Sequence, residues 1–307
     1  MSRLSAGQPA VTAADTSRAV LDKAARENFP VAPVFLPRAW RQDLTAVYGF
    51  ARLVDDIGDG DLADGGRPDA VLLGLEPEAA GDRIAMLDAF EADLGRVFDG
   101  PGEPSHPLLR ALRPTVRKHA LTPEPFLGLI AANRQDQSVA RYATYADLLA
   151  YCELSANPVG RLVLSITGTS TPERVRRSDA VCTALQIVEH IQDVAEDLAR
   201  DRVYLPAEDM KRYAVDEADL AQPQAGPQVK ALVAFEAERA RELLYEGAPL
   251  VGSVRGRLRL LLAGFVGGGR AALKSVERAG YDVLAGSPKA TKSGLLREVG
   301  STLRREG

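Results

Sequence analysis

The chain has 307 residues, 46% apolar and 26% charged, an ordinary globular composition with length enough for one large core or two small ones. A net charge of −4, with no long stripe of Lys or Arg, excludes a nucleic-acid-binding field. Only two cysteines occur, Cys152 and Cys182, far apart in apolar-periodic segments, which excludes a disulfide framework and a thiolate metal site and reads as two buried thiols.

Met1 to Thr16 is rich in Ala and Ser, lacks the apolar stretch of a signal peptide, and reads as a disordered lead-in. Beyond it, apolar residues recur at spacings of three and four, as in Ile84, Leu87, Phe90, Leu94 and Val97, while alternating strand-like runs are scarce. The fold class is therefore all-α, and one helical domain is the simplest account. Predicted helices cover 17–27, 38–58, 82–98, 105–119, 123–140, 145–167, 174–200, 227–248, 254–279 and 290–304. Thr122 before Pro123 and Glu124 reads as a helix start, and Thr144 with Asp147 as a capping box in which Asp replaces the usual Glu or Gln. Gly58 to Gly81, dense in Gly, Asp, Pro and Ala, reads as a long surface connection, either a lid or a plain insertion. Arg202 to Met210 and Gln222 to Gln228 are further breaks. Gly267-Gly268-Gly269-Arg270 lies in a helical pattern with no preceding strand, which favours close helix packing over a nucleotide loop. The most apolar stretch, Leu258 to Gly269, is shorter than the roughly 20 residues a bilayer requires, so the chain reads as cytoplasmic, soluble or peripheral.

Two segments carry chemistry. In the first, Tyr48, Arg52, Asp55 and Asp59 are spaced 4, 3 and 4 and fall on one stripe of a helix whose other faces are largely apolar. In the second, Gln186, Glu189, Asp193 and Asp197 share a stripe with spacings 3, 4 and 4. If the two helices face each other, carboxylates one turn apart can hold Mg²⁺ ions that keep positions open for phosphate oxygens. Such ions would neutralise a departing diphosphate during C–O cleavage. Tyr48 and Arg52 suit donation to that diphosphate, although an intrahelical pair of Arg52 with Asp55 or Asp56 and a plain solvated face remain alternatives. His190 points about 100° away from Glu189 and reads as structural; His106 and His119 lack metal-ligand spacing.

These segments resemble the squalene/phytoene synthase family, the head-to-head trans-isoprenyl diphosphate synthases. The resemblance rests on Tyr48-x-Phe50-x-Arg52-x-x-Asp55-Asp56-x-x-Asp59, Tyr151-Cys152-x-x-Ser155-Ala156-Asn157-Pro158-Val159-Gly160, Gln192-Asp193-Val194-x-x-Asp197 and Arg202-Val203-Tyr204-Leu205-Pro206, in the family's order, and covers roughly 17–284. Glu27-Asn28-Phe29-Pro30-Val31-Ala32 and Ser155-Ala156-Asn157-Pro158 further resemble the bacterial hopanoid branch, the squalene or hydroxysqualene synthases.

The resemblance implies a single-domain isoprenoid synthase fold over 17–284, with helices around a central apolar cavity, and a C-terminal helical tail over 285–307. It implies Mg²⁺ at Asp55, Asp59, Asp193 and Asp197, with Glu189 where the family commonly carries Asn. Glutamate can ligate Mg²⁺ through oxygen but adds a charge and a methylene. The resemblance further implies diphosphate contacts at Arg52 and Arg202, catalytic or polar-end roles for Tyr48, Tyr151 and Tyr204, and substrate contacts at Asn28, Phe29, Gln186 and Asp136, the last of which, in the short Arg134-Gln135-Asp136-Gln137, reads alternatively as a helix-surface aspartate. The small residues Ala156, Val159 and Gly160 either pass an isoprenoid chain or pack helices. The implied reaction is ionisation of presqualene diphosphate with water capture to hydroxysqualene. Its rivals are condensation of two prenyl diphosphates to presqualene diphosphate, dehydrosqualene or phytoene, and a catalytically lapsed scaffold. Water capture needs no nicotinamide, and none is expected. The expected partners are the prenyl diphosphate substrate and, by functional coupling, other enzymes of the pathway. Leu295, Leu296, Val299 and Leu303, flanked by Lys292, Arg297, Arg304 and Arg305, read either as a docking helix or as a peripheral contact with the inner membrane face.

Overall fold

The computed structural model describes residues 32–306. The lead-in over 1–16, the predicted helix over 17–27, and Asn28 and Phe29 lie outside the described residues. Those described are all-α, as expected: helices and turns joined by short links, with one isolated bridge between Arg141 and Val203. No described helix is long and apolar enough to cross a membrane. The described chain packs as two compact units, 42–120, and 32–41 with 121–306.

The first unit contains most of α1 (Arg38–Asp59), with α2 (Arg67–Leu72), α3 (Arg83–Phe98) and α4 (Pro107–His119). Helical spacing brings Phe50, Leu53 and Ile57 of α1, Met86, Phe90 and Leu94 of α3, and Leu109 and Leu112 of α4 into one core. Phe50 stacks on Phe90 with ring centroids 5.4 Å apart. Two of its buried carboxylates, Asp43 and Asp69, find partners on α4 and at its N-cap. Asp43 accepts from Thr115 at 3.1 Å, Lys118 at 2.7 Å and His119 at 2.8 Å. His106 caps α4 through Nδ1, which accepts from the Leu108 amide, leaving Nε2 to meet Asp69 at 3.1 Å. Both histidines are thus structural. The surface connection expected over Gly58 to Gly81 is corrected: it folds into 3-10 turns and α2, because Asp69, fully buried with Ala70, anchors it to His106.

The second unit holds α5 (Glu124–Gln135), α6 (Tyr145–Ser155), α7 (Asn157–Ile166), α8 (Pro172–Gln192), α9 (Val194–Ala199), α10 (Ala207–Arg212), α11 (Glu217–Leu220), α12 (Pro227–Gly247), α13 (Gly256–Arg278) and α14 (Lys292–Arg305). Helix α8 is central and packs against α7, α12 and α13. The expected capping box at Thr144 and Asp147 is present. The helix predicted over 145–167 breaks at Ala156, because Pro158 has no N–H to continue the ladder and Asn157 turns its side chain to Thr183, 3.0 Å away.

The triple glycine packs helices. A Cβ on Gly267 would lie 2.7 Å from the Val299 amide nitrogen, so only glycine lets α14 settle onto α13. Lys274 to Glu298 at 2.6 Å and Arg270 to Thr302 at 2.9 Å fasten the same seam, and Leu296 faces outward, 73% exposed. The C-terminal segment is therefore docked on the protein.

Glu236 on α12 is 1% exposed beside Asp209 and Arg239, and Arg239 bonds both carboxylates while lying over the Tyr145 ring. Burial first, and Asp209 next, push the Glu236 carboxyl up to about 7 against the pull of Arg239. A carboxyl raised in the folded state contributes stability below its unfolded value, and that contribution is lost as pH rises toward 7 and beyond. Glu236→Gln should therefore stabilise the protein by roughly 1–3 kcal/mol at pH 8 and by little at pH 4.5. Urea denaturation at the two pH values measures this; a pH-independent difference would overturn the assignment.

Candidate functional site

In the first unit, α1 presents Tyr48, Arg52, Asp55 and Asp59 along one stripe, with Asp55 exposed and the other three half-buried. The helix stops directly after the stripe. Gly60, at φ +75°, donates to the Ile57 carbonyl while Asp61 donates to that of Asp56, a Schellman end that needs a residue free to adopt the left-handed region. Arg83 adds a donor to the Gly58 carbonyl at 3.2 Å. Of the two intrahelical partners the sequence offered Arg52, the structure selects Asp56, 2% exposed, at 2.8 Å. Burial opposes the Arg52 charge, but Asp56 and then Asp55 and Tyr48 outweigh it and raise the guanidinium above its ordinary value. It stays a cation on an acidic face.

In the second unit, the stripe of Gln186, Glu189, Asp193 and Asp197 does not lie on one unbroken helix as predicted over 174–200. Asp193, at φ −106° and ψ 16°, ends α8 and opens α9. The i to i−4 bonds still run through the break, Asp193 to Glu189 at 3.0 Å and Asp197 to Asp193 at 2.8 Å, so the spacing of the stripe survives. The segment after α13 reaches this point: Ser287 Oγ donates to Asp193 Oδ1 at 3.0 Å, and the Pro288 carbonyl accepts from Gln192 and from Ser275. Burial raises the Asp193 carboxyl, the Ser287 bond lowers it, and Glu196 and Asp197 raise it further against Lys289; the net shift is upward. Glu189 is exposed.

Beside the stripe lies a polar aromatic cluster. Asp136, the residue after α5, accepts from Tyr151 at 2.8 Å and from Tyr204 at 3.4 Å, so it is no surface aspartate. Burial pushes its carboxyl up, although the Tyr151 bond and the nearby Arg202 oppose this. Burial and then the Asp136 charge raise the Tyr151 and Tyr204 phenols, which hold their protons and act as donors. The Tyr142, Tyr151 and Tyr204 rings lie 5.5 to 5.6 Å apart, and His190 stacks on Tyr204 at 3.7 Å. Tyr204 is carried into place by its backbone: Val203 donates to the Ala140 carbonyl and Ala207 to that of Tyr142, both at 2.9 Å. Arg202 donates its amide to the Asp197 carbonyl at 2.9 Å, which joins the cluster to the stripe.

Ala156 is buried at the α6–α7 break, Val159 is 41% exposed, and Gly160 turns to α8, where a Cβ would meet Ser178 and Cys182. Gly160 therefore serves packing, one of the two roles the sequence left open. Sequence reasoning missed Tyr142 and Ser287 and set His190 aside. For His190 a signal existed: it stands one turn beyond Gln186 and two turns before Asp197, which puts all three near one helix face. Among the described residues, no group of three or more His, Cys, Asp or Glu side chains is placed to hold a metal ion unaided.

The squalene/phytoene synthase family model matches residues 22–294. The chain belongs to the squalene/phytoene synthase family. The hydroxysqualene synthase of Rhodopseudomonas palustris is 32% identical over 230 residues, 75% of this chain and 72% of that protein. The 15-cis-phytoene synthase of Synechococcus elongatus is 30% identical, over 70% of this chain and 68% of that one. The crystal structure of squalene synthase HpnC from Alicyclobacillus acidocaldarius superposes with a TM-score of 0.72 at 40% identity, covering 86% of this chain and 95% of that one. The fold is accordingly that of the isoprenoid synthases, as the sequence resemblance implied.

Removing the Ser287 donor should raise the Asp193 carboxyl further in the metal-free protein, since that bond lowers it. Carboxyl ¹³C titration of Ser287→Ala against the unmodified chain measures the shift. An unchanged Asp193 titration would remove Ser287 from the site.

Proposed function

We propose that this member of a family of prenyl-diphosphate-processing synthases converts presqualene diphosphate and water to hydroxysqualene and diphosphate, as a step toward hopanoids in the cytoplasm. The observation that carries the reading is the second unit's combination of an acidic stripe with a pole in which the half-buried Asp136 accepts from the buried, proton-retaining phenols of Tyr151 and Tyr204. Heterolysis of the substrate's C–O bond sends the electron pair to the diphosphate, and the cyclopropylcarbinyl cation rearranges. A water oxygen then forms the new C–O bond and releases a proton. In the second unit Arg202 holds diphosphate charge while the phenols of Tyr151 and Tyr204 donate and hold water, and in the first unit Arg52 and Tyr48 offer the same kinds of donor to diphosphate.

The donor chemistry suits Mg²⁺. Asp55, Asp59, Asp193, Asp197 and Glu189 offer only hard oxygen donors, and the Asp193 carboxyl, raised first by burial and then by Glu196 and Asp197, is one that a nearby cation would lower. Mg²⁺ commonly takes one or two carboxylates and completes its shell with phosphate and water. When bound, it supplies charge neutralisation of the leaving diphosphate.

Likeness to the hydroxysqualene synthase of Rhodopseudomonas palustris at 32% identity supports the choice of product, and likeness to the squalene synthase HpnC at 40% supports the squalene side of the family. The 30% likeness to a 15-cis-phytoene synthase favours a second reading, condensation of two prenyl diphosphates.

Incubation with Mg²⁺ and either presqualene diphosphate or farnesyl diphosphate, without nicotinamide, followed by mass spectrometry of extracted lipids, separates them. Hydroxysqualene from presqualene diphosphate is expected. Coupled products from farnesyl diphosphate would move the protein to the condensing enzymes, and no product from either would leave the scaffold reading. Asp55→Asn and Asp193→Asn should each lower turnover by roughly 10²-fold or more while leaving the melting temperature nearly unchanged. Full activity in both variants would sink the metal assignment.

A further inference from the structure

We propose that His190 is a positioning residue that fixes the ring of Tyr204 and thereby aims its phenol at the Asp136 pole; this rests on the functional reading above. The two ring planes lie 11° apart with centroids 3.7 Å apart, and His190 is only 9% exposed. No other aromatic pair in the cluster is as close: Tyr142 and Tyr151 stand 5.6 Å from Tyr204, and His190 stands 6.1 Å from Tyr151.

Two features make the stack matter. The Tyr204 hydroxyl meets Asp136 Oδ1 at 3.4 Å, whereas Tyr151 meets Oδ2 at 2.8 Å, so Asp136 holds the Tyr204 phenol loosely. The backbone bonds that flank Tyr204 fix its Cα and leave the side-chain torsions to be set by neighbours. A flat partner 3.7 Å away supplies that restraint.

His190 is itself held. Gln186 Nε2 stands 3.2 Å from its Nε2, and Asp197 Oδ2 stands 3.9 Å from its Nδ1. With the Gln186 amide donating, Nε2 accepts and the ring proton sits on Nδ1, facing Asp197. The chain Gln186, His190, Tyr204, Asp136 thus links α8 to the end of α5 through one imidazole face. Phenylalanine would keep that face and discard both polar contacts; alanine would discard everything.

The test compares His190→Ala with His190→Phe, using whichever prenyl diphosphate the unmodified enzyme turns over. His190→Ala should lower kcat by roughly 10- to 100-fold with KM within about threefold, because a misplaced group costs rate more than ground-state binding. His190→Phe should recover most of the lost kcat. Equal impairment in both variants would assign the role to the ring nitrogens, and unimpaired His190→Ala would remove it; either outcome overturns the proposal. A second readout needs no substrate. In protein carrying ¹³C-labelled tyrosine, with the Tyr204 signals identified by their loss in Tyr204→Phe, the stack predicts ring-current-shifted Tyr204 resonances that return toward ordinary positions in His190→Ala. Unshifted Tyr204 signals in the unmodified protein would overturn the proposal. If neither substrate is turned over, the functional reading falls, and the tyrosine spectrum still decides whether His190 fixes the ring.

Discussion

A carboxylate cannot leave water without donors to replace it, and the polar part of the second unit is organised around that requirement at Asp136. The two phenols that meet it come from α6 and from the segment before α10, so burying one charge fixes where two distant stretches of chain must meet. The same segment is stitched to 140–143 by backbone bonds, and its Arg202 amide is tied to Asp197. Satisfying Asp136 thus places Tyr204 and ties Arg202 to the acidic stripe. Because the phenols remain protonated, the result is a donor-rich end, suited to anions and water.

The acidic stripes are held by a different balance. On α1 the arginine within the stripe is anchored to buried Asp56, which offsets the charge of the aspartates around it. At Asp193 the groups that lower the carboxyl are the Ser287 hydroxyl and Lys289, both from the segment leading into α14. That segment leads into α14, which sits on Gly267 of α13, and its Pro288 carbonyl accepts from Ser275 of α13, so a packing feature remote in sequence bears on the electrostatics of a candidate ligand.

What was legible in the sequence follows the range of the interactions involved. The α1 stripe, the Thr144 capping box and the close packing at Gly267 depend on residues within a turn or two, or on the presence of a glycine in a helical run, and spacing reveals them. Asp136 was legible only as a possible match, because its burial depends on tyrosines 15 and 68 residues away. The break at Ala156 was signalled by Pro158 and outweighed by the apolar period on either side. The ordered turns between Gly58 and Gly81 were hidden for the opposite reason: their composition reads as loop, and contacts distant in sequence, Asp69 with His106 and Arg83 with the Gly58 carbonyl, help to order them.

His190 shows how a local argument can be sound and still mislead. Its angle from Glu189 does keep it off the centre of the carboxylate stripe, and imidazole is a poor partner for Mg²⁺. Both statements concern metal ligation alone. A residue flanking such a stripe faces whatever packs beside it, and here that neighbour is a tyrosine whose own hydroxyl is loosely tethered. The departure at Glu189 belongs to the same turn of α8: the extra carboxylate stands exposed to solvent, while its sequence neighbour is buried against Tyr204. The helix thereby separates charge from shape on adjacent residues, one facing water and the other fixing a ring.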